Sequence, residues 1–172
     1  MKNFFREFWD ESDYYTNPIP VSDEMIDHAQ QKLGYKLPQS YIALIKTKNG
    51  GIPINTCFPT NTPTSWAEDH IEIENIRGIG GDYGIDSEQT RGDAELGYPV
   101  EIGFIICDCP SAGHDAIMLD YSLCGKEGEP RVIHVDVEIS DDPIITILAD
   151  NFETFIKGLV NGEKYNDEEE AW

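Results

Sequence analysis

Between Ser111 and Ser122 the chain gathers two serines, His114, Asp115 and Asp120, the residue types from which nucleophilic or general-base chemistry is assembled. Such chemistry needs a base within hydrogen-bond reach of the nucleophile and a third group to orient that base. Neighbours on a strand point to opposite faces, so a strand starting here would turn His114 and Asp115 apart. Cys109-Pro110-Ser111-Ala112-Gly113 also lacks the first glycine of the G-x-S-x-G nucleophile elbow. The expected roles are structural. Gly113 permits a turn, His114 or Asp115 bonds loop backbone, and Asp120-Tyr121 fixes the next corner. The chain is expected not to be an enzyme; a small hydrolase using His114 with Asp115 or Asp120 is the catalytic alternative.

Other reactive groups are incomplete as motifs. Cys107 and Cys109 would share a strand face and could meet His114 or His134, but a single C-x-C is not the paired knuckle of a structural zinc site. Buried inert thiols are the expectation. Gly78-Ile79-Gly80-Gly81-Asp82-Tyr83-Gly84 lacks the P-loop order, and Asp82 would repel phosphate. Asp82, Asp86 and Glu88 do not have the EF-hand spacing for calcium. Neither metal nor cofactor is expected.

Helices and strands must position these groups. Ser22 is a fitting N-cap for a helix ending at Gly34, with Asp23 and Glu24 at its positive end and Met25, Ile26, Ala29 and Leu33 on its apolar stripe. A second helix is expected to start at Pro38 as its first residue, to bury Tyr41, Ile42, Leu44 and Ile45, and to stop at Asn49-Gly50-Gly51. Ile71 and Ile73 alternate with Glu72 and Glu74 as in a half-exposed strand. The segment Gly78 to Gly103 reads as a glycine-rich acidic loop. Ile102 to Cys107, Ala116 to Leu119 and Val132 to Val137 read as three sheet strands. Asp150 as N-cap and Glu153 predict a closing helix with Phe152, Phe155, Ile156, Leu159 and Val160 inward and Gly162 as its stop. This order predicts an α+β domain: a mainly antiparallel sheet flanked by N-terminal helices and a closing C-terminal helix. Residues 1–162 form one domain in this reading, and 163–172 a charged tail that frays.

Composition narrows the partners. With 172 residues, folding removes roughly 70% of the unfolded surface, enough for one real core. The formal net charge of -21, from 33 acidic and 12 basic residues, disfavours nucleic acid and anionic membranes. The first ten residues interleave charge with Phe4, Phe5, Phe8 and Trp9, which is not a signal-peptide core, and no apolar run is long enough to span a bilayer. The expected location is cytoplasmic, with Cys57, Cys107, Cys109 and Cys124 reduced. Nothing in the pattern sets an oligomeric state.

The ordered set from Val21 to Leu159 resembles a known family. It comprises Leu33-Gly34, Leu37-Pro38 with Tyr41, Asn49-Gly50-Gly51, Trp66, Ile79-Gly80-Gly81, Gly113-His114-Asp115, Leu119-Asp120-Tyr121-Ser122, Gly128-Glu129-Pro130-Arg131-Val132, and Phe152, Phe155 and Leu159. The resemblance is to the SUKH superfamily, which joins SMI/KNR-like regulators of fungal cell-wall synthesis to bacterial immunity proteins. It implies a helix-flanked antiparallel sheet and, for most bacterial members, neutralisation of a cognate toxin, often a nuclease. It carries over no toxin-contact residue. Cys107-Asp108-Cys109 and the large acidic excess depart from the pattern.

Two acidic stretches are the candidates for partner binding: Asp82, Asp86, Glu88, Asp93 and Glu95, and Asp136, Glu138, Asp141 and Asp142. If both lie at one rim of the sheet, they suit a basic, nucleic-acid-binding face of a toxin, with Tyr83, Tyr98 or Trp66 as aromatic anchors. The alternatives are two independently solvated loops, and a regulatory scaffold that binds a cellular protein or peptide.

Overall fold

The structure is a computed structural model, and it describes residues 7–87 and 90–165. Helix α1 (Asp23–Leu33) begins where Ser22 Oγ accepts a 3.2 Å hydrogen bond from the Met25 N–H, and Gly34 closes it by donating to the Gln30 carbonyl at 2.9 Å. Ile26 and Ala29 on its apolar stripe are buried. Helix α2 (Gln39–Thr47) starts one residue later than expected. Pro38 is its extended N-cap (φ -59°, ψ 140°), and the Pro38 carbonyl accepts the Ile42 N–H. Tyr41, Leu44 and Ile45 face the core.

The turn after α2 is locked to the middle of the chain. Asn49 Nδ2 donates to the carbonyls of Ile19 and Ile79, and its Oδ1 accepts from the Ile79 N–H at 2.8 Å. Gly50 (φ +81°) lies so close to this segment that a Cβ would sit 2.6 Å from the Gly78 nitrogen. Tyr41 adds a 2.6 Å hydrogen bond to the Arg77 carbonyl. The family-pattern residues Tyr41, Asn49 and Gly50 thus join one helix to one distant loop. Gly51 pairs with Ile76 in an isolated bridge.

A short antiparallel ribbon, β1 (Cys57–Pro59) and β2 (His70–Glu72), is followed by helix α3 (Thr90–Leu96). The helix corrects the expectation of an unbroken loop from Gly78 to Gly103. The main sheet is an antiparallel meander of β3 (Gly103–Asp108), β4 (Asp115–Asp120), β5 (Arg131–Asp136) and β6 (Ile144–Ala149), in that spatial order. Three of these strands follow the expected segments, and β6 is a fourth that pattern did not single out. Phe104, Ile106, Ile117, Leu119 and Val132 join the main core with the helices, while Ile105, Ala116, Met118, Ile133 and Val135 form a second cluster with Tyr98. The alternation of cluster along β4 and β5 follows the side-chain period of two, and a bulge between Ile105 and Cys107 interrupts it in β3. Strand β3 is buried on both faces although it is the first strand in the sheet order, which explains why Ile102 to Cys107 reads as a continuous apolar run.

Helix α4 (Phe152–Gly158) closes the core with Phe152 packed edge-on to Tyr41 at 5.5 Å. Its N-cap is Asn151, whose Oδ1 accepts from the Thr154 N–H at 2.8 Å, and not the expected Asp150. The helix ends before Val160, which instead exchanges hydrogen bonds with Cys57. The architecture is α+β. The part of the expected charged tail from 166 onward lies outside the described residues.

Candidate functional site

The turn from Cys109 to Asp115 is built by short local bonds. Ser111 Oγ accepts from the Asp115 N–H at 3.1 Å, and Gly113 takes the left-handed φ of +94° that a side chain would resist. At the head of β4 the side chains of His114 and Asp115 part. His114 lies at the surface, with Nδ1 2.8 Å from a Glu138 carboxylate oxygen. Asp115 turns inward to His134, whose Nε2 is 2.7 Å from Asp115 Oδ2, the two being 4% and 1% exposed. The expectation of a bond from His114 or Asp115 to loop backbone is corrected: both bind side chains from the β5 side of the sheet. At the far end of β4, Asp120 Oδ2 accepts from Arg131 Nε at 2.7 Å and its Oδ1 from the Ser122 N–H at 2.9 Å. Burial works to raise the Asp120 carboxyl, but the Ser122 hydrogen bonds and the Arg131 guanidinium outweigh it and hold it below the ordinary carboxylate range. Tyr121 donates to the Lys36 carbonyl at 2.8 Å. None of these contacts joins a serine nucleophile to a histidine base.

Cys109, Asp115 and His134 are the metal-ligand types that converge among the described residues, each offering an atom within 4.8 Å of the others. The 2.7 Å between His134 and Asp115 is a hydrogen-bond length. Tetrahedral donors about 2.0–2.3 Å from zinc stand farther apart than that. Burial, reinforced by Asp115, pushes the Cys109 thiol well above its ordinary range, so it keeps its proton. Cys107 is buried in the same core but is not one of the three. The cluster is suited to hold strands β4 and β5 in register.

A second polar group, unnoticed in the sequence, centres on Arg77. Its Nε and Nη2 grip Asp108 at 3.0 and 2.6 Å, and Nη1 lies 3.7 Å from Asp93 Oδ2. Asp93, expected in an exposed acidic stretch, is buried and holds α3 against this pair. Burial raises its carboxyl, partly offset by Arg77. A cavity of about 240 Å³ lies over the group, between Tyr15, Tyr83, Leu96 and Tyr98.

The carboxylates expected to meet a partner divide into two sets. Asp86 is 9% exposed, and its Oδ1 accepts from the Gly80 N–H at 2.8 Å. Asp136 is 4% exposed, and its Oδ1 accepts from the Glu138 and Ile139 N–H groups. Burial raises the Asp136 carboxyl, but hydrogen bonds from Ser65, Glu138 and Ile139 bring it below the ordinary range. Asp86 and Asp136, expected to be available to a partner, are instead buried and anchor the loops that carry Tyr83 and Glu138. Tyr98 is likewise withdrawn, donating to the Gly113 carbonyl, and Trp66 is half-buried. Glu88 lies outside the described residues.

The other set is exposed: Asp82, Tyr83, Glu95, Glu138, Asp141 and Asp142. Leu96, at the end of α3, joins its two halves. It lines the cavity beside Tyr83 and also an open cleft of about 550 Å³ with Glu138, Ile139 and Asp141. Both acidic stretches therefore reach the sheet end where β4 begins and β5 ends, with exposed Leu96 and Ile139 between them. Tyr83 also packs on Tyr14 and Tyr15, with ring centroids 6.0 and 5.1 Å away. The role of α3 in this juxtaposition was hidden in a segment that reads as loop.

Among the described residues no helix is long and apolar enough to cross a membrane. A family model described as "SMI1 / KNR4 family (SUKH-1)" matches residues 20–158, every element from α1 to α4. No curated protein matches the chain.

Proposed function

The chain belongs to the SMI1 / KNR4 family (SUKH-1), and on that basis we propose that it is a cytoplasmic immunity protein that binds and neutralises a cognate bacterial toxin. The family is generally non-enzymatic and consistent with immunity or regulatory roles. The observation that carries the finer reading is the rim itself. Tyr83, Glu138 and Asp141 stand at one end of the sheet, with exposed apolar side chains at Leu96 and Ile139 between them, and Asp82 and Asp142 are their exposed chain neighbours. An interface needs desolvated apolar anchors for affinity, and a field of one sign to steer an oppositely charged partner.

A toxin that cuts nucleic acid presents a basic face to its substrate. Covering that face with a carboxylate rim blocks substrate entry without touching the catalytic atoms. The chain itself performs no reaction in this scheme. The buried hydrogen bonds of Asp86 and Asp136 keep the two rim loops in shape before the partner arrives, which limits the ordering cost of binding.

The test is co-expression with the toxin encoded beside its gene, followed by purification of the complex. Protection of the host and a stoichiometric complex are expected. Unchanged killing with every neighbouring toxin would overturn the reading. Recovery of a defined complex with a cellular protein, from a locus without a toxin, would put a regulatory scaffold in its place.

A further inference from the structure

Strand β6 is an edge of the main sheet: β5 is its one partner among the described residues. Edge strands in monomeric proteins are ordinarily blunted by charge, proline or a cover, because their free N–H and C=O groups are templates for another strand. Here Ile144-Ile145-Thr146-Ile147-Leu148-Ala149 has no charged residue and no proline, and five of its six residues are apolar. Ile145 and Ile147 are 43% and 56% exposed, although they stand beside Val135 and Ile133, which are fully buried in the second cluster. The apolar layer on that side of the sheet therefore runs out to the edge and stops uncovered. Ile144, on the opposite face of the strand, and Ile139, in the preceding turn, are also exposed beside the acidic residues.

We infer that β6 is the docking edge for an extended strand of the toxin, apolar at alternate positions and flanked by Lys or Arg. The inference rests on the immunity reading and specifies how the partner is held. Charge selects the occupant. Exposed Glu138, Asp141 and Asp142 lie before the strand, and exposed Asp150 follows it. A second copy of this chain pairing antiparallel would set Asp141 and Asp142 against Asp150 of the other copy, at both ends, with a formal charge of -21 on each molecule. A strand with basic flanks meets the same carboxylates favourably. Main-chain bonds to the β6 edge supply affinity, and Ile145 and Ile147 read the alternate side chains.

The experiment uses the purified toxin encoded beside the gene, made catalytically inactive, with the full chain. Amide hydrogen exchange across 144–149 is measured with and without toxin, and affinity is compared between wild type and the I145R/I147R double variant. Slowed exchange in β6, with binding weakened by at least about tenfold in the variant, is expected. If the toxin binds but β6 exchange is unchanged and the variant binds normally, the edge inference falls and the immunity reading stands. If no neighbouring toxin binds, both fall. If sedimentation shows a dimer that the double variant abolishes, a second copy is the occupant and the inference is overturned. Should the variant fail to fold, exchange in the wild type decides alone.

Discussion

At the scale of single residues, the two histidines near β4 separate surface from scaffold. His134 shares a 2.7 Å hydrogen bond with Asp115 in a buried site, while His114 meets Glu138 at the surface. Removing one partner of a buried pair leaves the other unsatisfied. His134→Ala should therefore lower unfolding free energy by about 3 kcal/mol in urea titrations, and His114→Ala by less than about 1 kcal/mol. Equal costs would contradict the burial assigned to the pair. Asp120 gives a prediction in pH. Its folded-state carboxyl is depressed, so its contribution is present above the ordinary carboxylate range and is lost as pH falls through the depressed value. The difference in melting temperature between wild type and Asp120→Asn should thus shrink from about pH 6 to about pH 3. A constant or growing difference would refute the assignment. The sequence showed His114 and Asp115 as neighbours, and the strand period correctly turned them apart. The His134 partnership was illegible because strand register, not spacing along the chain, brings residues 115 and 134 together.

At the scale of elements, the helices were legible where their ends carry chemistry and displaced where two residues could serve the same end. Ser22 and Gly34 marked α1 correctly. At α4, Asp150 and Asn151 are both capable N-caps, and the choice falls on the residue whose oxygen reaches Thr154. Strand β6 has isoleucines on successive positions and gives no alternation to read. Helix α3 is short and sits in a glycine-rich context, where Arg77 and Asp108 hold it through Asp93. The Asn49 clamp supplies the sharpest test at this scale. Gly34 and Gly50 both have left-handed backbones, but a Cβ on Gly34 meets nothing within 4 Å whereas one on Gly50 meets backbone at 2.6 Å. Gly34→Ala should cost about 1 kcal/mol, the local conformational penalty, and Gly50→Ala at least about 2 kcal/mol more. Matched thermal or urea unfolding of the two variants checks the order, and similar losses would mean that Gly78 can move aside.

At the scale of the whole molecule, acidity is the property most readily read from sequence, and its distribution is what the fold adds. Of the nine acidic positions singled out for recognition, three, Asp86, Asp93 and Asp136, are buried and turn inward or anchor loops. The exposed remainder, Glu138 and Asp141 among them, lies near the sheet end, where under the proposed function it would steer a basic partner. Long-range attraction decays over about 8 Å at physiological salt. Association with a basic partner should therefore slow as salt rises. Reversing Glu138, Asp141 and Asp142 to Lys should slow it by about tenfold at low salt, with a smaller effect on dissociation. Stopped-flow kinetics across a salt series would show this, and a salt-independent rate would remove the steering role. The family was visible in the ordered motifs because they are the parts that fix turns, clamps and core. The rim was visible only as two charged stretches until α3 joined them.

The alternation of anchor and display at the rim also bears on how such a protein can change. Asp136 holds its turn through backbone N–H groups, while Glu138, two positions on, contributes its side chain to the surface. Asp86 holds the other loop while Tyr83 and Asp82 face outward. Residues that shape the rim and residues that would be read there are thus different residues. Under the proposed function, substitutions at the display positions would redirect partner preference at little cost to folding, and a lineage would acquire a new specificity in single steps without passing through unstable intermediates.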